Sequence, residues 1–363
     1  MAFPLSYCTG GFETLRRLRS LYEERRQDII LASMQVPSLA LCDFAAKHPA
    51  GYCEYPDPRE RIEFWDAHLR ERMPIGDDSI PVAYLSEMDQ GLYGGLLGGE
   101  VRFLCDPATG WISSMVPPLL RDWTEFAQLS FSRDHEWFRR YFRQLDIFVQ
   151  AARGRFGISH FILINSLNLV FELVGATKTY ITLLEQPEMI AKALTLAFDL
   201  NLMVQNTFFG RVSLLEGGTC SNMVQWIPGR IISESVDPFH MTSVAYFERW
   251  GREPLEKMFA QFDGGVAHIH GNGRHLLEAV SSVKGLKALY LGDDKGFPSA
   301  FEVLPQLKRR VGDLPLVVGA EYGDFWQALQ EQRLVGGVFY RVSGVPDVET
   351  ANRCMDLVHE YKL

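Results

Sequence analysis

The chain is predicted to be an α/β protein, a (β/α)8 TIM barrel with an N-terminal helical extension. Three observations predict it: eight short apolar runs bounded by Gly and Pro, helical patterns between most of them, and no glycine fingerprint of an open nucleotide-binding sheet. Parallel strands need a crossover, usually a helix, so repeated strand and helix points to a closed parallel sheet. The alternative, an open doubly wound sheet, calls for G-x-G-x-x-G after the first strand. Gly91-x-x-Gly94-Gly95-x-x-Gly98-Gly99 has the wrong spacing and reads as a close-packed helix or turn. No repeat or low-complexity tract suggests a solenoid or propeller.

Residues 1–76 are expected to form the extension and 77–363 the barrel. Between Phe12 and Asp28, Phe12, Leu15, Leu18 and Leu21 recur at helical spacing among Arg and Glu, which marks a surface helix, and Arg59 to Arg72 is similar. Buried strands are expected at Ile80 to Met88, Trp111 to Val116, His160 to Ser166, Asn222 to Ile227, Gly264 to His270, Leu286 to Leu291, Leu314 to Ala320 and Gly337 to Val342. Helices are expected at Arg133 to Phe156, Pro187 to Phe208, Met241 to Phe262, Gly273 to Val283, Pro298 to Val311, Phe325 to Arg333 and Val348 to Tyr361. Pro187 and Pro298 suit a first helical turn, where a missing N–H is no loss.

Composition narrows the function. With 36 Lys+Arg against 45 Asp+Glu over 363 residues, the formal charge of −9 argues against a basic nucleic-acid binder. Hydrophobic residues at 47% and charged residues at 22% are globular rather than disordered values. The N-terminal residues show no basic and apolar leader, and the most apolar stretch, Phe161 to Gly175, is interrupted by Asn165, Asn168 and Glu172 and is too short to span a bilayer. Cys8, Cys42, Cys53, Cys105, Cys220 and Cys354 form no C-x-x-C pair and read as free thiols of a reducing compartment. A cytoplasmic protein with neither membrane nor nucleic-acid partners is the expectation.

The sharpest local feature is Val266-Ala-His268-Ile-His270-Gly-Asn272-Gly273. Residues two apart on a strand share a face, so His268 and His270 project together at the end of a barrel strand, where catalytic groups of this fold gather. The pair suits metal ligation or acid–base work; the structural alternative is one core histidine and one turn histidine. Other strand ends supply Asp293 and Asp294, Glu321 and Tyr322, and Tyr340-Arg341-Val-Ser343. Glu321 is the favoured third ligand or general base, because Gly323 and Asp324 can cap the next helix. Arg341 can hold a substrate carboxylate or pair with Glu321 or Asp294. Trp226 and Arg230 suggest an aromatic and cationic pocket wall. Asp237, before Pro-Phe-His-Met, reads locally as a helix N-cap. G-x-x-x-x-G-K-[ST] and G-x-S-x-G are absent, and His135-Glu136-Trp-Phe-Arg139 lacks the second zincin histidine.

Several segments, taken in order and spacing, resemble the uroporphyrinogen decarboxylase superfamily over residues 60 to 361. They are Asp77-Asp-Ser-Ile-Pro81, the Gly-rich run to Gly99, Asn165 to Gly175 followed by Leu184-Glu-Gln-Pro-Glu188, Asp237 to Phe247, and His268-Ile-His270-Gly271. The resemblance implies a (β/α)8 barrel with its site at the C-terminal mouth, and either of two chemistries: cofactor-free decarboxylation of uroporphyrinogen, or zinc-dependent methyl transfer between corrinoids and thiols. This chain lacks the decarboxylases' R-Q-A-G-R-Y motif near the N-terminus. The methyltransferases' His-x-Cys becomes His268-x-His270, and Ser343 stands where they carry a later Cys. A metal site must then be built from His and carboxylate, with His268, His270 and Glu321 holding Zn2+ or another divalent metal.

The expected function is accordingly metal-dependent methyl transfer from a corrinoid, presented by a partner protein, or another methyl donor to a thiol-type acceptor. His268, Glu321, Arg341 and Asp237 are the candidate catalytic residues, and Trp226, Arg230, Tyr322, Tyr340 and Asp293 the candidate substrate-binding residues. The alternatives are a decarboxylase of a polycarboxylate and a non-catalytic barrel that binds a small molecule or a corrinoid protein. Family members are often dimers, so the resemblance also implies a homodimer.

Overall fold

The computed structural model describes residues 3–159 and 161–363; Met1, Ala2 and His160, the first residue of one expected strand, lie outside the described residues. The described strands are β1 (Ile30–Met34), β2 (Gly51–Cys53), β3 (Val82–Tyr84), β4 (Arg102–Asp106), β5 (Trp111–Met115), β6 (Gly157–Ser159), β7 (Ile162–Leu163), β8 (Gly218–Ser221), β9 (Gln225–Pro228), β10 (Ile232–Ser235), β11 (Gly265–Ile269), β12 (Leu286–Leu291), β13 (Leu316–Glu321) and β14 (Val338–Ser343). Seven form one parallel sheet in the order β1-β14-β13-β12-β11-β10-β7. A separate parallel pair, β3 with β6, adjoins it in the chain. The fold is thus a barrel-like α/β architecture, although its ladder is not continuous: among the described residues none joins β1 to β3.

At that seam side chains replace the ladder. Asp78 Oδ2 accepts from the Ala32 amide at 3.0 Å and Asp77 Oδ2 from the Met34 amide at 2.7 Å, so the outer-edge donors of β1 are met by two carboxylates. Arg17 donates to Asp78 at 2.6 Å and Arg72 to Asp77 at 2.8 Å. The Asp78 carboxyl would be raised by burial, but hydrogen bonds from His359 and Arg17 hold it below its ordinary value.

Alternate residues of the parallel strands point inward. Leu31, Val266, Ala288, Val317 and Phe339 share an apolar cluster with Leu15, Leu18 and Leu21 of the helix Gly11–Tyr22 and with Trp226 and Ile227 of the β8–β9 hairpin. Helix and hairpin fill the interior from the N-terminal end of the strands. Trp226 is fully buried and donates its indole N–H to the Leu215 carbonyl at 2.8 Å. Gly218 makes this seat possible, since a Cβ there would lie 2.3 Å from the indole. The outward faces pack against the helices in a second, larger core.

The last four expected strands and the helix Pro187–Arg211 are present within a few residues. Four expectations are corrected. Residues 1–76 are not only helical: they supply β1 to the parallel sheet and β2 to a three-stranded antiparallel sheet, β2-β4-β5. Trp111 to Val116 is β5 of that side sheet, because a five-residue run of mixed polarity packs on one face only. The stretch Asn222 to Ile227 belongs to the plugging hairpin, and the parallel strand beside it is β10, whose Ser233-Glu234-Ser235 is too polar to stand out by hydropathy. Pro298 precedes its helix, Leu304–Val311, whose first turn holds Pro305 instead.

Candidate metal centre at the strand ends

A cavity of about 590 Å³ opens at the C-terminal ends of the parallel strands. Its inner wall carries Ser33, His268, His270, Tyr290 and Arg341, and it descends to Ile80 and Met223 of the apolar plug. Trp65 and His68 of the helix Pro58–Glu71, with Thr109 and Trp111 of the side sheet, form the flank. The lining contains Arg72, Arg341 and three histidines but no carboxylate, in a chain whose formal charge is −9. Arg72 is already tied to Asp77. Arg341 stacks over Tyr290 with its guanidinium carbon 5.4 Å from the ring centre, and among the described residues it has no carboxylate partner.

His268 and His270 do share the inner face, with ring centres 5.1 Å apart. The third group is Asp237, the first residue after the β10 end-turn. It opens a short 3-10 helix, Asp237–Met241, without capping it by a side-chain bond, so its carboxylate is free to face the imidazoles. His268 Nε2 lies 3.1 Å from Asp237 Oδ1 and His270 Nε2 3.9 Å from the same atom. One ligand atom from each of the three residues falls within 4.8 Å of the others. Burial alone would raise the Asp237 carboxyl, but the His268 hydrogen bond and the charges of His268, His240 and His270 outweigh it and bring it down to about 2. The side chain is 45% exposed at its rim; the His268 hydrogen bond goes to Oδ2 at 3.3 Å, and the buried Oδ1 has no hydrogen bond of its own. An orphaned carboxylate oxygen beside two imidazoles is a donor set that fits a divalent zinc-type ion, with positions left open.

Two further residues support this group: Asp294, one of the strand-end acids noted in the sequence, and His240, which was not. Asp294 Oδ1 approaches His270 Nδ1 to 3.3 Å from an off-axis direction, while its Oδ2 accepts from the Asn272 amide at 3.0 Å. His270 Nδ1 makes no hydrogen bond here, so Asp294 acts as a charge behind the imidazole, the side from which a carboxylate orients a ligating ring. His240 brings Nδ1 to 3.8 Å from Asp237 Oδ1, and burial lowers its imidazole to about 4. The ring fits because residue 273 is glycine: a Cβ there would meet the imidazole at 2.1 Å. Gly273 is part of the Gly-Asn-Gly turn read in the sequence, but its reason lies in a ring contributed by another segment.

The remaining candidates are placed elsewhere. Glu321 is exposed at the end of β13 and accepts from Ser343 Oγ at 2.8 Å, so it joins neither histidine; Asp237 occupies the expected carboxylate position. Trp226 belongs to the plug, and Arg230, which precedes β10, is exposed beside Asp263 at the opposite end of the strand from the mouth. Tyr340 faces outward, its hydroxyl on the Val335 backbone. Tyr322 packs on Trp326 at the start of the helix Tyr322–Gln330. Asp293 accepts from the Ala300 amide at 2.6 Å and from Arg274, a loop-fastening role. Sequence reasoning missed Tyr84, which lines the cavity and donates to the buried Asp89 at 2.8 Å. Burial lifts the Asp89 carboxyl to about 7 against that bond. Its polar side chain following an apolar strand was the available signal.

Fold and site together define a barrel-like α/β protein with a candidate divalent-metal centre at its mouth. No family model matches the sequence, and the search of curated proteins found no match. Among solved structures the chain is similar in fold to a methyltransferase from Methanosarcina mazei, with a TM-score of 0.59 over 96% of this chain and 98% of that one, at 14% sequence identity. At that identity the likeness is one of fold. No single helix is long and apolar enough to cross a membrane, among the described residues, and all six cysteines are free.

Proposed function

We propose that this chain is a metal-dependent methyltransferase that moves a methyl group from a corrinoid or another donor to a thiol acceptor bearing an anionic group. The observation that carries the reading is the convergence of Asp237 on His268 and His270, the two histidines that line an open cavity. The fold shared with the Methanosarcina mazei methyltransferase supports it. Asp237, His268 and His270 would hold the metal, with Asp294 behind His270. When bound, a divalent ion supplies a Lewis acid that favours the deprotonated form of a thiol. Arg341, splayed over Tyr290, is placed to hold the acceptor's anionic group, and a lining free of carboxylates does not oppose it. Tyr84, Trp111 and Tyr290 line the same cavity and limit water around the acceptor.

Elemental analysis of the purified chain tests the reading. About one equivalent of zinc or another divalent metal is expected, lost in His268→Ala with the fold retained by circular dichroism. Metal-free, metal-refractory wild type would overturn it. Arg341→Ala is expected to keep the metal and to weaken acceptor binding by roughly tenfold or more, the scale of a lost charged hydrogen bond. The arginine-bearing lining also suits a decarboxylase of an anionic substrate. That second reading predicts turnover of a polycarboxylate that survives removal of metal by a chelator.

A further inference from the structure

The flank of the cavity carries an imidazole that the metal centre does not use. His68 stands on the helix Pro58–Glu71, its ring stacked on Phe64 with the two planes 7° apart. His68 Nδ1 lies 3.1 Å from Ser38 Oγ, and Ser38 Oγ donates to Glu71 Oε2 at 2.6 Å. A hydroxyl has one hydrogen, and here the carboxylate takes it. Ser38 Oγ therefore accepts from His68, which puts the imidazole proton on Nδ1 and leaves Nε2 a bare lone pair. The residue lines the cavity, and among the described residues Nε2 has no hydrogen-bond partner.

This arrangement is more than a helix cap. Ser38 caps the helix Leu39–Lys47 by accepting from the Leu41 amide at 3.3 Å, and Glu71 Oε1 accepts from the Ala40 amide at 3.0 Å. Both contacts stand without the imidazole. What His68 draws from them is a fixed tautomer. Burial, with the Arg72 charge adding to it, lowers the ring to about 4, so it is neutral near physiological pH.

Arg72, four residues on, donates to the Met34 carbonyl at 2.8 Å, which seats this end of the helix on the C-terminal end of β1. Ser33 of β1 pairs with Arg341 of β14. His68 and Arg341 thus border the cavity on its β1 side, while His268 and His270 border it from the end of β11. A neutral acceptor in a lining with two arginines suits an uncharged N–H or O–H group and disfavours an ammonium.

We infer that His68 Nε2 is a specificity contact of the cavity, accepting from an uncharged amide N–H or hydroxyl of a ligand whose anionic group rests on Arg341. The inference rests on the cavity being the acceptor site of the proposed transfer. It narrows the acceptor to a thiol that carries both an anion and such a donor.

Calorimetric titration of the full chain, supplied with one equivalent of zinc, tests it with two pairs of probes. N-acetylcysteine and 3-mercaptopropionate differ by an acetamido group; N-acetylalanine and propionate are their thiol-free counterparts. The acetamido member of each pair is expected to bind about tenfold tighter, the scale of one well-made hydrogen bond. His68→Phe keeps an aromatic ring on Phe64 and removes the lone pair, and is expected to abolish both preferences. No acetamido preference in the wild type, or its survival in His68→Phe, would overturn the inference. The thiol-free pair separates the two readings. If the preference holds there while the thiols bind no better, the metal centre fails and the His68 contact stands. Long-range 1H–15N spectra give a readout that needs no ligand. The His68 signals, identified by their loss in His68→Phe, are expected to show a protonated Nδ1 and a bare Nε2, and a protonated Nε2 would overturn the inference.

Discussion

At the scale of single residues, two segments make the centre: Asp237 from the turn after β10, and His268 and His270 from the end of β11. The i, i+2 spacing fixes a shared face wherever a strand forms, so His268 and His270 needed nothing but the period of a strand. Asp237 looked like a cap because capping is a local property, yet its carboxylate faces imidazoles from β11 and from its own turn. Glu321 was favoured for standing at a strand end, but β13 lies two strands from β11 in the sheet, with β12 between them. Asp294, on the loop after the neighbouring β12, is the acid that reaches His270. Replacing it should leave ligation possible but less well oriented. Asp294→Ala is expected to weaken Co2+ or Zn2+ binding by about 10–100-fold while retaining one equivalent at saturation, measured by competition with a chromophoric chelator. An unchanged affinity would remove Asp294 from the centre.

At the scale of elements, hydropathy located the long apolar strands β12, β13 and β14 and failed on β1 and β10. β1 sits in a stretch read as extension, and β10 carries Ser233, Glu234 and Ser235, which break the apolar run. That polarity has a consequence for stability. Burial raises the Glu234 carboxyl to about 8 and that of Asp89 to about 7. Unfolded, both groups titrate near 4. Between about pH 4 and pH 8 the native state therefore holds more protons than the unfolded chain, and stability falls as pH rises through that window. Denaturant unfolding is expected to show a lower midpoint at pH 8 than at pH 5.5. Asp89→Asn and Glu234→Gln should each flatten the slope, and a slope unaltered in both would contradict the burial of these acids as neutral groups.

At the scale of the whole molecule, strand and helix alternation identified a barrel-like α/β fold around a parallel sheet, but neither the break in its ladder nor the way its interior is filled. The plug combines the helix Gly11–Tyr22 with a hairpin about 200 positions later, a pairing that no local pattern announces. The side sheet, too, is assembled from segments on either side of β3. The seam at β1 has a bearing on how the protein is made. Among the described residues β1 pairs in the parallel sheet only with β14, from Ile30↔Val338 to Met34↔Val342, while its other edge is held by the carboxylates of Asp77 and Asp78. During synthesis the first strand must wait for the last before its ladder can form, and until then it keeps an apolar, aggregation-prone edge. Ribosome-bound chains stalled before residue 338 are expected to be protease-sensitive throughout, gaining protection in one step once β14 and the helix Val348–Glu360 have emerged from the exit tunnel.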